Sequence, residues 1–130
     1  MSTYLKTANL DSSILSYKIV EDIRLDQTAI TDVTQSNGTL YSVEIDASAA
    51  NQNQTQYLKL KLQTGDVTVG TTPPDIMIEC VAQQITTVNF PSGVAFTTLS
   101  AWLTSSNADA ATTNTEAAAS RFTIVRFVTN

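Results

Sequence analysis

The sequence predicts an all-β protein: a single antiparallel β-sandwich or jelly roll of about six to eight strands. Short runs such as "YLKLKLQ" and "LYSVEID" alternate apolar with polar residues, which is the period of a half-buried strand. Turn residues punctuate these runs at a spacing of roughly ten residues, and no segment carries a convincing helical period. A chain of 130 residues fits one domain. A domain of this size buries roughly two-thirds of the surface that its unfolded chain exposes, so one modest core is expected. Residues 1–13 read as an N-terminal arm and 14–130 as the sandwich domain.

Along the chain, the first strong signal is "ITDVTQSNGTLYSVEID", in which Asn37-Gly38 stands between two β-rich runs and predicts a type I′ hairpin turn. On the second arm Tyr41, Val43 and Ile45 share the core face, and Ser42, Glu44 and Asp46 face away. "ASAANQNQT" is a polar loop, after which "YLKLKLQ" sets Leu58, Leu60 and Leu62 against Tyr57, Lys59 and Lys61. In "VGTTPPDIMIEC", Pro73 and Pro74 donate no ladder hydrogen bonds, which makes "GTTPPD" a corner between strands. "IMIECVA" follows as a strand with Ile76, Ile78 and Cys80 on one side and Met77, Glu79 and Val81 on the other. "QQITTVNF" is a further strand and "PSG" at Pro91 to Gly93 a turn. "VAFTTLSAWLT" fits neither period cleanly and is assigned to strand. "SSNADAATTNTEAAAS" lacks large apolar anchors and is expected to be a long exposed loop. "RFTIVRFV" is apolar on both faces and belongs in mid-sheet.

Composition narrows the chemistry. A net charge of −5, with only seven scattered basic residues, argues against nucleic acid as a partner, because neutralising phosphates needs clustered Lys or Arg. No apolar run approaches the roughly 18 residues of a membrane span, and "MSTYLKTANLDSS" has no signal-peptide core. A soluble protein made in a cytoplasm is expected. The chain has no histidine and one cysteine. That removes the commonest general base, the usual partner of a nucleophilic Ser or Cys, the favoured zinc ligand and any internal disulfide. The expectation is a protein that is not an enzyme and has no cofactor or metal.

The remaining candidates favour structural roles. Glu21, Asp22 and Asp26 offer oxygens that calcium accepts, but their spacing follows no metal-binding loop and Arg24 sits among them, so a partly self-paired surface is preferred. Asp66 and Asp75 flank the Gly-Pro corner as turn caps. Cys80, in an apolar strand, reads as core filler. Trp102 with Tyr4, Tyr17, Tyr41 and Tyr57 offers either a sugar-stacking platform or, preferably, core or interface packing. The low charge leaves few guards on strand edges, which points to association. Tyr4, Leu5 and Leu10 in the arm, together with Trp102, are the candidate subunit contacts, with fraying as the alternative for the arm.

Two stretches also carry a family resemblance. Val69, Gly70, Thr71, Pro74 and Asp75 form a V-G-T-x-x-P-D corner after a strand, and Phe90, Pro91, Gly93, Phe96, Leu99 and Ser100 form F-P-x-G-x-x-F-x-x-x-L-S. This second half resembles the small β-sandwich virion proteins of tailed bacteriophages; it departs from them at "NADAATTNTEAAAS" and Trp102. The resemblance implies a copy-rich structural subunit assembled in the host cytoplasm: a capsid decoration or cement protein, or a neck, tail or fibre component. It implies the major capsid protein or other virion proteins as partners, and a homotrimer or other homo-oligomer. A carbohydrate- or receptor-binding module is the alternative from another class.

Overall fold

The alternating runs fold as strands in two packed layers. A computed structural model describes residues 18–34, 36–48, 53–63, 66–114 and 122–130, and the backbone of 5–9. These residues form β1 (Leu5–Asn9), β2 (Lys18–Asp22), β3 (Gly38–Asp46), β4 (Gln56–Lys61), β5 (Ile76–Cys80), β6 (Ile85–Phe96), β7 (Ser100–Thr104) and β8 (Ile124–Thr129). The larger sheet runs β1-β2-β8-β3-β6 and the smaller β5-β4-β7, and every strand pair is antiparallel. This is the all-β sandwich that the alternation predicts. Beside β7, Ile30 forms an isolated bridge with Ala101, and Leu103 N–H donates to Asp26 O at 2.9 Å.

The core fills the space between the layers. Val20, Leu40, Val43, Ile45, Val125 and Phe127 from the larger sheet meet Leu58, Leu60, Ile78, Cys80, Ala101 and Leu103 from the smaller. β8 lies in the middle of the five strands, as its doubly apolar sequence predicts, with Val125, Phe127 and Thr129 turned inward. β4 and β5 keep their expected phase: Leu58, Leu60, Ile78 and Cys80 are buried, while Met77 and Glu79 are exposed. The Cys80 thiol is core filler, and its burial raises its pKa.

Three local expectations give way to long-range pairing. The Asn37-Gly38 hairpin does not form; β3 pairs instead with β6 and β8. Its supposed first arm is irregular because Asp32 takes a positive φ of 57°. Ile30 and Val33 in that arm are bonded to β7 through Ile30 N–H to Ala101 O at 2.8 Å and Val33 N–H to Leu99 O at 2.6 Å. In β3, a register shift between Leu40 and Ser42 leaves Tyr41 out of phase, so Leu40 takes the core place expected for Tyr41. Finally, "PSG" does not reverse the chain. β6 runs through it, with Asn89 paired to Ser42 and Val94 to Leu40, so the residues between them bulge from the ladder. Pro91 is tolerated because β6 is an edge strand. Gly93 sits in that bulge at φ +74°, where an added Cβ would lie 2.3 Å from Thr39 Cγ2.

The expected corner between β4 and β5 is present and is closed by Asp75. Its N–H donates to Leu60 O at 2.8 Å, and its carboxylate accepts the Leu62 N–H at 2.8 Å and pairs with Lys61 Nζ at 3.2 Å. Of the N-terminal arm, Leu5–Asn9 forms the outermost strand of the larger sheet, paired with β2 of the same chain. Tyr4 and Leu10 lie outside the described residues, as does the arm beyond them.

Candidate functional site

The chemically distinctive side chains gather in two places, one on the outer face of each sheet. On the smaller sheet, register sets Lys59 of β4 opposite Trp102 of β7, with Tyr57 opposite Thr104 and Lys61 opposite Ser100. Alternation turns these residues away from the inter-sheet core, as expected for Tyr57, Lys59 and Lys61. Lys59 and Trp102 nevertheless have no solvent exposure. Their cover is the chain that follows β7. Ser105 N–H donates to Thr113 O at 3.0 Å, closing residues 105–114 into a loop, and Lys59 Nζ donates to Ala108 O at 2.6 Å beneath it. The corner before β5 lies alongside, since a Cβ on Gly70, whose φ is +93°, would come within 2.6 Å of Thr112 Cγ2.

A polar knot anchors the far end of this loop. Asn114 Nδ2 donates to Gln56 Oε1 at 3.0 Å and to Leu103 O at 3.2 Å, and Gln56 Nε2 donates to Thr123 Oγ1 at 2.9 Å. These bonds tie the loop to β4, to β7 and to the start of β8. The indole N–H of Trp102 is buried and has no acceptor among the described residues, a cost that the packing of the ring must offset. The described part of the expected exposed loop is therefore the lid of a satellite core.

Burial lowers the pKa of Lys59 from its ordinary 10.5, and Asp109 opposes the shift. Between the lowered value and 10.5 the unfolded chain binds more protons than the folded one, so this residue makes stability rise with pH across that window. Lys59→Met removes the dependence. Urea unfolding of both proteins from pH 7 towards 10.5 should show the wild type gaining stability relative to the variant; parallel pH profiles would show that the amine is solvated.

For Trp102 the sequence offers core or interface packing and, among the candidate subunit contacts, a place at an interface. The structure takes the core reading and corrects the contact: the ring is inside the subunit at 0% exposure, so it offers neither a surface contact nor a sugar platform. Among the expected contact residues, Leu5 is placed only as part of β1.

On the larger sheet, Glu21 of β2, Arg126 of β8 and Glu44 of β3 stand in one cross-strand row. Arg126 Nε bonds to Glu21 Oε2 at 2.6 Å, its Nη1 to Glu44, and Asp46 Oδ2 is 4.0 Å away. The bond to Glu21 first, and then that to Glu44, raises the pKa of Arg126. β1 places Lys6 at the register position beside Glu21. The other acidic residues of the loose group turn to local backbone: Asp22 Oδ1 accepts the Arg24 N–H and Asp26 Oδ1 the Thr28 N–H, each at 2.8 Å. The expected self-pairing extends further than the sequence shows, because the main cation, Arg126, comes from the far end of the chain.

Among the described residues the exposed large apolar side chains are Met77, Val81, Ile85 and, apart from these, Phe122. Met77, Val81 and Ile85 are 43%, 42% and 56% exposed. All three lie along β5, the turn after it and the start of β6, on the side where both sheets end. Compared with known proteins, the chain matches no family model, no curated protein and no solved structure.

Proposed function

We propose that this chain is a non-enzymatic structural subunit of a tailed-phage particle: a capsid decoration or cement protein that acts as a homotrimer where capsomers meet. One observation carries the reading. The distinctive polar and aromatic groups, Lys59, Trp102, Gln56, Asn114 and Arg126, are spent on contacts within the subunit, while large apolar side chains stay exposed along a sheet edge. A surface with that division works by adhesion. The likeness of the Val69–Asp75 corner and the Phe90–Ser100 segment to small phage virion sandwiches supplies the setting. A neck or tail position uses the same fold and the same kind of surface, and the place of the protein in the particle separates the two.

A stable site at such a joint needs about 1,600 Å² or more of buried surface in all. Light scattering of the purified protein should give three times the 14.0 kDa of one chain, and the protein should co-sediment with capsids. A species of 14.0 kDa that never pellets with particles would refute the proposal.

A further inference from the structure

The outer edges of β5 and β6 differ from that of β7. β7 is flanked by residues 26–33: Ile30 and Ala101 exchange backbone hydrogen bonds, and Leu103 N–H donates to Asp26 O at 2.9 Å. Among the described residues nothing pairs with the free side of β5, whose only partner is β4, or of β6, whose only partner is β3. The two edges meet at a tight turn in which Gln84 N–H donates to Val81 O at 3.3 Å. Their protection is sparse: β5 carries one charged residue, Glu79. β6 has no charged residue, and Pro91 with the Gly93 bulge interrupts it only after Phe90, leaving Ile85–Phe90 as an unguarded pairing edge. Met77 is exposed on β5, Val81 just after its end and Ile85 just across the turn.

Charge selects the occupant. From Leu62 to Ser120 the sequence has no lysine or arginine, while Asp66, Asp75, Glu79, Asp109 and Glu116 all fall within that span. Glu79 is exposed between Met77 and Val81, and Asp46 is the register neighbour of Ile85. A second copy would bring like charge to this edge, which disfavours self-pairing. We propose that the β5–β6 edge receives an extended, lysine- or arginine-bearing segment of a partner protein, which adds as a strand and lays apolar residues against Met77, Val81 and Ile85. Backbone hydrogen bonds provide affinity in this mode, and alternate side chains provide specificity. The inference rests on the reading of the chain as a contact-making structural subunit, and it names the contact.

The test uses the full chain with a synthetic peptide of alternating lysine and valine and, as control, one of alternating glutamate and valine. Amide hydrogen exchange is read residue by residue. The lysine peptide is expected to slow exchange within Ile85–Phe90 and Ile76–Cys80 by about tenfold or more, with the glutamate peptide inert. Val81→Lys combined with Ile85→Lys, both at exposed positions, should weaken binding by about tenfold. Glu79→Gln, which removes only a charge, should weaken it less and flatten its salt dependence. Protection elsewhere, equal protection by both peptides, or none overturns the inference. Protection that appears without peptide and grows with protein concentration assigns the edge to a second copy and also overturns it. The peptide outcomes leave the trimer mass and the co-sedimentation unchanged, so the inference and the functional proposal fail separately; pairing with a second copy shows instead as a mass that rises with protein concentration.

Discussion

Trp102→Ala should lower the unfolding free energy by about 3–5 kcal/mol, the usual loss when a large buried aromatic is truncated. Trp102 is the largest side chain buried in the protein, yet it lies outside the cluster between the sheets. Its removal leaves a cavity under residues 105–114, where the Lys59 bond to Ala108 O and the Asn114 bonds to Gln56 and Leu103 must then hold the loop without an apolar base. The variant should therefore lose protection of the loop amides ahead of those in β8. Urea unfolding followed by circular dichroism gives the first result, and hydrogen exchange the second. A loss below about 1 kcal/mol would be the size of a typical surface change and would show that the ring is exposed.

Gly93→Ala is expected to cost about 2–4 kcal/mol, from the left-handed backbone together with overpacking. At φ +74° the new methyl would stand 2.3 Å from Thr39 Cγ2 and 3.0 Å from Tyr41 Cε1. Thr39 is β-branched and stiff at χ1, so its methyl has little room to yield. Thr39→Ser removes that methyl, and the double variant should recover the steric part of the loss but keep the backbone part. Such recovery in a double-mutant cycle identifies the contact. Additive losses would place the bulge elsewhere.

Sequence and structure agree where one strand decides its own fate. The periods of "YLKLKLQ" and "IMIECVA" survive intact, and "RFTIVRFV" takes the central position that two apolar faces require. Cys80 is buried, as a thiol in such a strand should be. Agreement fails where a local turn preference competes with distant pairing. Asn37-Gly38 has the chemistry of a hairpin, but β3 begins at Gly38 and takes β6 and β8 as its neighbours instead of the preceding arm. "PSG" has the chemistry of a turn, and Gly93 does need its positive φ, but strand pairing resumes beyond it with Val94 opposite Leu40.

The satellite core was hidden for another reason. Lys59 and Trp102 point outward by alternation, and the cover over them is a small-residue loop with no apolar signal of its own. Burial by such a lid depends on where the chain travels after β7, which periodicity does not encode. The unguarded edge was partly legible, because scarce lysine and glutamate along β5 and β6 are visible in the sequence. Which strands are edges is a property of sheet order, and that required the structure.

The central claim is that this sandwich works by adhering to other proteins in a particle. Cryo-electron microscopy of particles carrying the chain, compared with particles lacking it, tests this most directly. The account predicts difference density on the outside of the capsid, in groups of three at the joints between capsomers, with the β5–β6 edge turned towards the lattice. Particles that show no such density, and that are identical with and without the chain, would contradict it.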